Sequence, residues 1–359
     1  MNETHAATIA QVRERLNDLP RVSLAALPTP LDEATRLSAE LDGPRLFIKR
    51  DDLTGLAFGG NKVRQHEYVL GAAVAQGADC LVQGSAAQSN HSRQLAAAGA
   101  KLGLETFLLP KLDAHSEPVQ GNYLVDHLLG ATILPIAAGD STIAAKAALV
   151  EKLRAEGRTP YVTGMGADEA LALAAVAYVG ALFEMVEQLP QGLTLDAIYT
   201  ASQGSTQAGL LIACELLGLP TRVVGISPLG PEHEAHIPLD DVVAMVHRAA
   251  GILGLTTEIG RDDIELRFDF VGEGYGIPSE AGLDAISLLG GFEGILLDPI
   301  YTGKAFAGLV SDIRAGRIRS DETVVFLHTG GLPALFAYAQ PVIGHVRDSR
   351  VVPRTSTHD

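Results

Sequence analysis

The chain predicts a doubly wound α/β protein, on three observations. Short apolar runs alternate with longer segments of helical period, the order expected of strands joined by crossover helices. Glycine- and hydroxyl-rich turns follow several of the runs, at the strand ends where open α/β sheets bind ligands. At 359 residues, 47% of them hydrophobic, the chain is long enough for two domains whose cores need no staple.

In chain order, the first expected strand is Arg45–Lys49. After it, Phe58-Gly59-Gly60-Asn61-Lys62-Val63-Arg64-Gln65 leads into a helix over Val63–Gln76. The glycine pair lets the backbone come close to a flat ligand, and the apolar helix fixes the position of Lys62. A lysine held there is a candidate Schiff-base nucleophile if its surroundings lower its pKa; otherwise it is one more solvated charge. Next come a strand over Cys80–Gln83 and a helix over Asn90–Leu102 with Leu95, Ala98 and Leu102 on one face. The intervening Gly84-Ser85-Ala86-Ala87-Gln88-Ser89-Asn90-His91 puts Ser89 or Asn90 at the N-cap. There they complete the helix or, with the following amides, grip a carboxylate at the positive end of its dipole. His91 reads equally as a ligand contact or a structural group.

Strands over Thr106–Leu109 and Thr132–Pro135 flank a helix over Gly121–Leu129, and helices over Thr142–Ala155 and Asp168–Glu187 follow. A strand over Ala197–Thr200 then runs through Ser202-Gln203-Gly204-Ser205 into a helix over Thr206–Leu217. Hydroxyls and small residues between a strand and a helix start make a cradle of donors for a phosphate, though neither a Walker A loop nor a G-x-G-x-x-G fingerprint; an ordinary turn is the alternative. The remaining strands are Arg222–Ile226, Leu266–Phe270 and Val324–Leu327, and the remaining helices Leu239–Leu253, Ser279–Leu289, Gly303–Ala315 and Pro333–Tyr338. Tyr275 in GEGYG and Tyr301 in DPIYTGK stand beside glycines, where a phenol reaches a cavity or satisfies a backbone carbonyl. The last strand ends in His328-Thr329-Gly330-Gly331, a hydroxyl and two glycines at a ligand-binding edge. The tail after Val352 is expected to fray.

Composition narrows the function. A net charge of −16 without clustered arginines argues against a nucleic-acid surface, and the absence of Trp with only 5% aromatics removes the stacking platforms of a single-strand binder. Small anions can still be held by helix N-termini. Cys80 and Cys214 make no disulfide framework, and no C-x-x-C or H-E-x-x-H pattern points to a metal. That usage fits a cytoplasmic protein. The N-terminus lacks the apolar region of a signal peptide, and no apolar run is expected to span a bilayer.

Six tracts, GGNK, QSNH, GSTQAG, GYG, DPIYTGK and HTGG, occur in that order between about Leu27 and Pro333. Together they resemble the D-cysteine desulfhydrase and 1-aminocyclopropane-1-carboxylate deaminase family. The resemblance implies a tryptophan-synthase-β-like fold, pyridoxal-phosphate fold type II, with two open twisted parallel-sheet domains. A smaller domain, 66–172, is inserted into a larger cofactor-binding one, 1–65 and 173–359. It implies that Lys62 carries the cofactor and takes the substrate α-proton, with Tyr275, Tyr301 and Ser89 as further catalytic groups. Asn90 matches the residue beside the cofactor O3′, and Ser89, Asn90 and His91 the substrate carboxylate clamp. Ser202, Gln203, Gly204, Ser205 and Thr206 match the phosphate cradle, and Thr329 the hydroxyl near the pyridine nitrogen. Tyr275 and Tyr301 flank substrate and cofactor.

Three departures qualify the resemblance. Many members carry a phosphate-supporting lysine where this chain has Gln65, so the phosphate grip relies more on amides and hydroxyls. Aminocyclopropane deaminases carry a glutamate after the second tyrosine, where this chain has Thr302; a neutral partner weakens the electron sink and suits expulsion of a good leaving group. Asp168 and Glu169 replace part of a glycine-rich loop, where they tune the substrate pocket or simply favour the next helix start. The implied reaction is α,β-elimination from a small amino acid, first D-cysteine to pyruvate, ammonia and hydrogen sulfide, then L-cysteate with loss of sulfite, then aminocyclopropane deamination. A carrier or sensor that binds the cofactor without turnover is the non-enzyme alternative. Relatives imply a homodimer.

Overall fold

The computed structural model describes residues 3–113, 116–202 and 204–351. Gln203 and the tail after Val352 lie outside the described residues. The chain opens with α1 (Glu3–Asp18), β1 (Leu31–Glu33), α2 (Thr35–Glu40), β2 (Arg45–Lys49) and α3 (Asn61–Ala75). It continues through β3 (Cys80–Ala86), α4 (Asn90–Leu102), β4 (Glu105–Lys111), α5 (Gly121–Leu128), β5 (Thr132–Ile133), α6 (Thr142–Ala155), β6 (Pro160–Val162) and α7 (Asp168–Gln188). Then come β7 (Ala197–Ala201), α8 (Ser205–Leu217), β8 (Arg222–Ile226), α9 (Leu239–Ile252), β9 (Glu265–Arg267), α10 (Glu280–Glu293) and α11 (Thr302–Arg314). β10 (Thr323–Leu327), α12 (Leu332–Ala337) and α13 (Ala339–Val351) complete it.

The strands form two sheets. Six run in the order β1-β2-β10-β7-β8-β9, parallel except for β1, and four run β5-β4-β3-β6, all parallel. Central strands of a parallel sheet are covered on both faces and so read as continuous apolar runs. In β10, Val325 and Leu327 face one core with Phe47 and Ile198, while Val324 and Phe326 face a second with Leu46, Ile48 and Tyr199. The α/β class with open, predominantly parallel sheets is what the sequence led us to expect.

Local differences have local causes. Gly84, Ser85 and Ala86, read from sequence as turn, extend β3 and pair with Leu109, Pro110 and Lys111. The sequence reading passed over β1 and β6, three residues each, and α1, whose charged faces hide Ile9, Val12 and Leu16 packed against α7 and α8. α7 corrects the expectation that no apolar run could span a bilayer. At 21 residues it is long and apolar enough, but 72% of its most apolar window is buried inside the protein, where α3, α8 and α9 pack on it.

Behind α3 lies a buried group of two cations and two carboxylates. Arg64 reaches Asp51 at 2.9 Å and Glu184 at 2.7 Å, and Lys49 reaches Glu184 at 2.9 Å. Tyr178 and Thr29 donate their hydroxyls to Asp51 at 2.6 and 2.8 Å. Burial alone would raise the Asp51 carboxyl, but the Arg64 guanidinium holds it below its ordinary value. The Asp51 backbone in turn accepts the Gly60 N–H at 3.0 Å, so this cluster anchors the turn that delivers Lys62.

Candidate active site

A cavity of about 850 Å³ opens at the C-terminal ends of β3, β4, β6, β7 and β10, where the two sheets face each other. It is lined by Lys62, Ser89, Asn90, His91, Ser202, Ser205, Thr206, Tyr275, Tyr301 and Thr329. Residues from six separate tracts thus converge. Gly204 is the exception among the described candidates: it is the N-cap of α8, at φ +126°, and does not line the cavity.

Lys62 sits in the first turn of α3, after Gly60 at φ +126°. A Cβ on Gly60 would stand 2.6 Å from the Gln94 side chain, and one on Gly330 would stand 2.7 Å from the Gly60 Cα. Backbone therefore crosses backbone here, and the Asn61 N–H donates to the Thr329 carbonyl at 3.0 Å. That contact sets Lys62 beside the end of β10. Desolvation pushes the Lys62 amine down to about 8, with no carboxylate to offset it.

Ser89 does cap α4, its Oγ accepting the Ser92 N–H at 3.2 Å. Its hydroxyl proton remains to be donated into the cavity, so capping and carboxylate binding are compatible. Asn90 Oδ1 accepts from Asn122 Nδ2 at 2.8 Å, which turns its own amide N–H₂ away from Asn122. Asn122 Oδ1 is in turn held by Arg93 Nε at 2.7 Å, and the Arg93 guanidinium donates to the Gly59 carbonyl at 3.1 Å. Arg93 and Asn122 thus tie the Asn90 loop to the Lys62 loop. Their link spans distant sequence segments, and nothing in local spacing signals it.

Behind Arg93, Asp126 is buried with Oδ1 unpartnered, and burial pushes its carboxyl up to about 8 although Arg93 acts against that. The unfolded carboxyl loses its proton from its ordinary 3.8 upward while the folded one keeps it to about 8. Folding therefore takes up a proton across this window, and stability falls as pH rises through it. Asp126→Asn is expected to match the parent at pH ~4 and exceed it by about 1–3 kcal/mol at pH ~8 in urea melts; a pH-independent difference would refute the assignment.

At the other end of the cavity α8 begins without a side-chain cap, leaving first-turn N–H groups for a ligand. Gln65 Nε2 donates to Ser205 Oγ and Thr206 Oγ1, both at 3.2 Å, and Asn61 Nδ2 donates to Thr206 Oγ1 at 3.2 Å. Because both hydroxyls accept these bonds on oxygen, each keeps a proton to offer an anion. Gln65 therefore supports the cradle by orienting its hydroxyls, and Asn61 orients that of Thr206 as well. Ser202 is turned inward, donating to Gln207 at 3.1 Å and accepting the Gly204 N–H at 3.2 Å.

Tyr275 and Tyr301 meet hydroxyl to hydroxyl, their rings edge to face with centroids 6.0 Å apart. Burial raises both phenols, so each stays protonated at neutral pH. Lys304 Nζ secures the Tyr275 loop through the carbonyls of Val271 at 2.7 Å and Gly274 at 2.9 Å. Thr302 is fully buried and donates to Asp298 at 2.7 Å, so position 302 presents no side chain to the cavity. Asp168 and Glu169 are likewise not pocket residues. Both are exposed in the first turn of α7, and Glu169 lies 3.6 Å from Arg248.

These residues fit pyridoxal phosphate. An uncapped helix start with two primed hydroxyls suits its phosphate, a desolvated amine its aldehyde, and the Asn90 amide its phenolic oxygen. Comparison with known proteins points the same way. The D-cysteine desulfhydrases of Salmonella typhi and Salmonella newport (strain SL254) are each 39% identical to this chain over 328 residues, 90% of this chain and 97% of theirs. A crystal structure of a protein described as the ACC deaminase homologue superposes with a TM-score of 0.84 at 33% identity, covering 93% of this chain and 99% of its own. A family model described as pyridoxal-phosphate dependent enzyme matches residues 22–330. With that match running from ahead of β1 to the end of β10, the chain belongs to the family of pyridoxal-phosphate-dependent enzymes.

Proposed function

We propose that this enzyme catalyses α,β-elimination of D-cysteine, with water, to pyruvate, ammonia and hydrogen sulfide. The observation that carries the reading is the lone, desolvated Lys62 amine, set in one cavity with an uncapped helix start, the Ser89-capped start of α4 and a pair of phenols. The desulfhydrase relatives supply the substrate. Pyridoxal phosphate, when bound, supplies the sink for the electron pair left on the α-carbon.

The protein does the rest. Ser205, Thr206 and the first amides of α8 hold the phosphate, with Gln65 and Asn61 orienting the hydroxyls and Gly204 at the N-cap. Thr329 offers its hydroxyl to the pyridine nitrogen, and no acidic side chain is offered from position 302. Asn90 donates to the cofactor's phenolic oxygen. Ser89 and the α4 amides fix the substrate carboxylate. Lys62 Nζ, neutral in a substantial fraction near pH 8, takes the α-proton and passes it to the departing sulfur. Tyr275 and Tyr301 keep their protons and present an O–H donor to the substrate.

The assembly we propose has a smaller unit over 66–172, supported by all four strands of the second sheet lying within it. It acts in the cytoplasm as a homodimer; the buried free thiols Cys80 and Cys214 support a reducing compartment. The test is assay of the cofactor-loaded protein for pyruvate with D-cysteine, L-cysteine, L-cysteate and 1-aminocyclopropane-1-carboxylate. Equal pyruvate and sulfide from D-cysteine is expected. Pyruvate from L-cysteate or the cyclopropane alone would replace the substrate, and a coloured protein inert to all four would favour a carrier.

A further inference from the structure

Four buried side-chain nitrogen or oxygen atoms among the described residues lack a hydrogen-bond partner, and three belong to one pair of histidines: Nδ1 and Nε2 of His66 and Nε2 of His91. Buried polar groups are almost always satisfied, so such a concentration marks a place where a ligand belongs. The two ring centroids lie 5.0 Å apart with the planes tilted by 39°, and both residues line the cavity. His66 is 1% exposed and follows Lys62 by one helical turn on α3, hence on the same face.

The hydrogen-bonding state of His91 is fixed by its surroundings. Gln83 accepts the Thr163 hydroxyl on Oε1 at 3.2 Å and so turns its amide N–H₂ to His91 Nδ1, 3.3 Å away. That leaves the His91 ring proton on the unpartnered Nε2. Burial, then the nearby Lys62 charge, drives His66 down to about 3, and burial likewise holds His91 well below its ordinary value. Both rings are therefore neutral N–H donors across the working pH range, the state in which an imidazole stabilises developing negative charge without competing for the proton. Val69 and Ala170 make the adjoining wall apolar. Ser89 and the α4 amides already provide for the carboxylate, so the imidazoles are left for the other substituent near Lys62.

We propose that His66, paired with His91, forms the pocket for the substrate's β-leaving group and selects a small, polarisable group that accepts hydrogen bonds. The inference rests on the elimination reading above. As the Cβ–S bond breaks, its electron pair stays on sulfur. The imidazole N–H groups hold the departing hydrosulfide until the proton taken by Lys62 neutralises it, and hydrogen sulfide leaves.

The experiment compares the parent with His66→Leu, which removes the donors, and His66→Gln, which keeps an N–H. Two ratios are read: kcat/KM for D-cysteine over β-chloro-D-alanine, whose chloride needs little stabilisation, and the affinity of D-serine over D-alanine from titration of the cofactor's visible band. We expect His66→Leu to lower the first ratio about 10- to 100-fold and to bring the second to about one, with His66→Gln recovering part of each. Should His66→Leu not fold, His66→Met against His66→Gln gives the same comparison. Unchanged ratios in an active enzyme overturn the leaving-group pocket alone. A parent that releases pyruvate from neither substrate overturns the elimination reading, and the pocket with it.

Discussion

Lys62→Ala is expected to leave a folded, cofactor-binding protein whose pyruvate production is down about 10⁴-fold, the upper range for loss of a positioned proton acceptor. The loss separates cleanly from folding because the Lys62 amine is desolvated without an ion-pair partner, so deleting it leaves no stranded carboxylate. Thermal stability should match the parent or exceed it. Borohydride treatment and digestion should mark the peptide containing residue 62 in the parent and no peptide in the variant. Lys62→Arg should be no more active, since a guanidinium does not give up its proton at these pH values. In the parent, uptake of pyridoxal phosphate by cofactor-free protein should quicken as pH rises through about 8, where the amine loses its charge. Full activity in Lys62→Ala would remove the elimination mechanism altogether.

The largest loss of stability is expected from Arg64→Met. The guanidinium neutralises two buried carboxylates, bonding Asp51 at 2.9 and 3.1 Å and Glu184 at 2.7 and 3.0 Å. Removing one partner of a buried ion pair leaves charge uncompensated, at a cost of about 3–5 kcal/mol. Urea denaturation should register it as a lower midpoint with little change in slope. The deficit should shrink in acid, because Asp51 and Glu184 are held below their ordinary values and contribute stability that is lost as pH falls. Asp51→Asn should also weaken cofactor binding, since the carboxylate's bonds to Arg64, Tyr178 and Thr29 fix the backbone that accepts the Gly60 N–H. An unchanged midpoint for Arg64→Met would show that the cluster does not hold the α3 turn.

Sequence alone carried the fold where periodicity and caps agreed. β2 and β8 occupy the expected residues, as do α4 and α6, whose Ser89 and Ser141 caps announce them. α13 went unread because its sequence contains Pro341 and Gly344, both poor helix formers. The motif residues were legible because glycine and hydroxyl clusters follow strands. What supports them was not: Arg93 to Asn122, Gln83 to Thr163 and Lys304 to Val271 pair groups about 30 to 80 positions apart, a relation only the packed sheets create. His66 was invisible for another reason. On an apolar helix face a histidine looks like core, and only its unsatisfied nitrogens distinguish it.

The crossing of Gly60 over Gly330 also limits how this enzyme can diversify. Where two main chains touch, no side chain can be exchanged, so the glycine crossing beside Lys62 and Thr329 is itself closed to variation. New substrate preference must come from positions outside that crossing, such as His66, Lys111, Met165 and Glu234, where side chains do meet the cavity. A randomised library confined to those four codons should yield altered specificities at a far higher frequency than one spread over the glycine crossing.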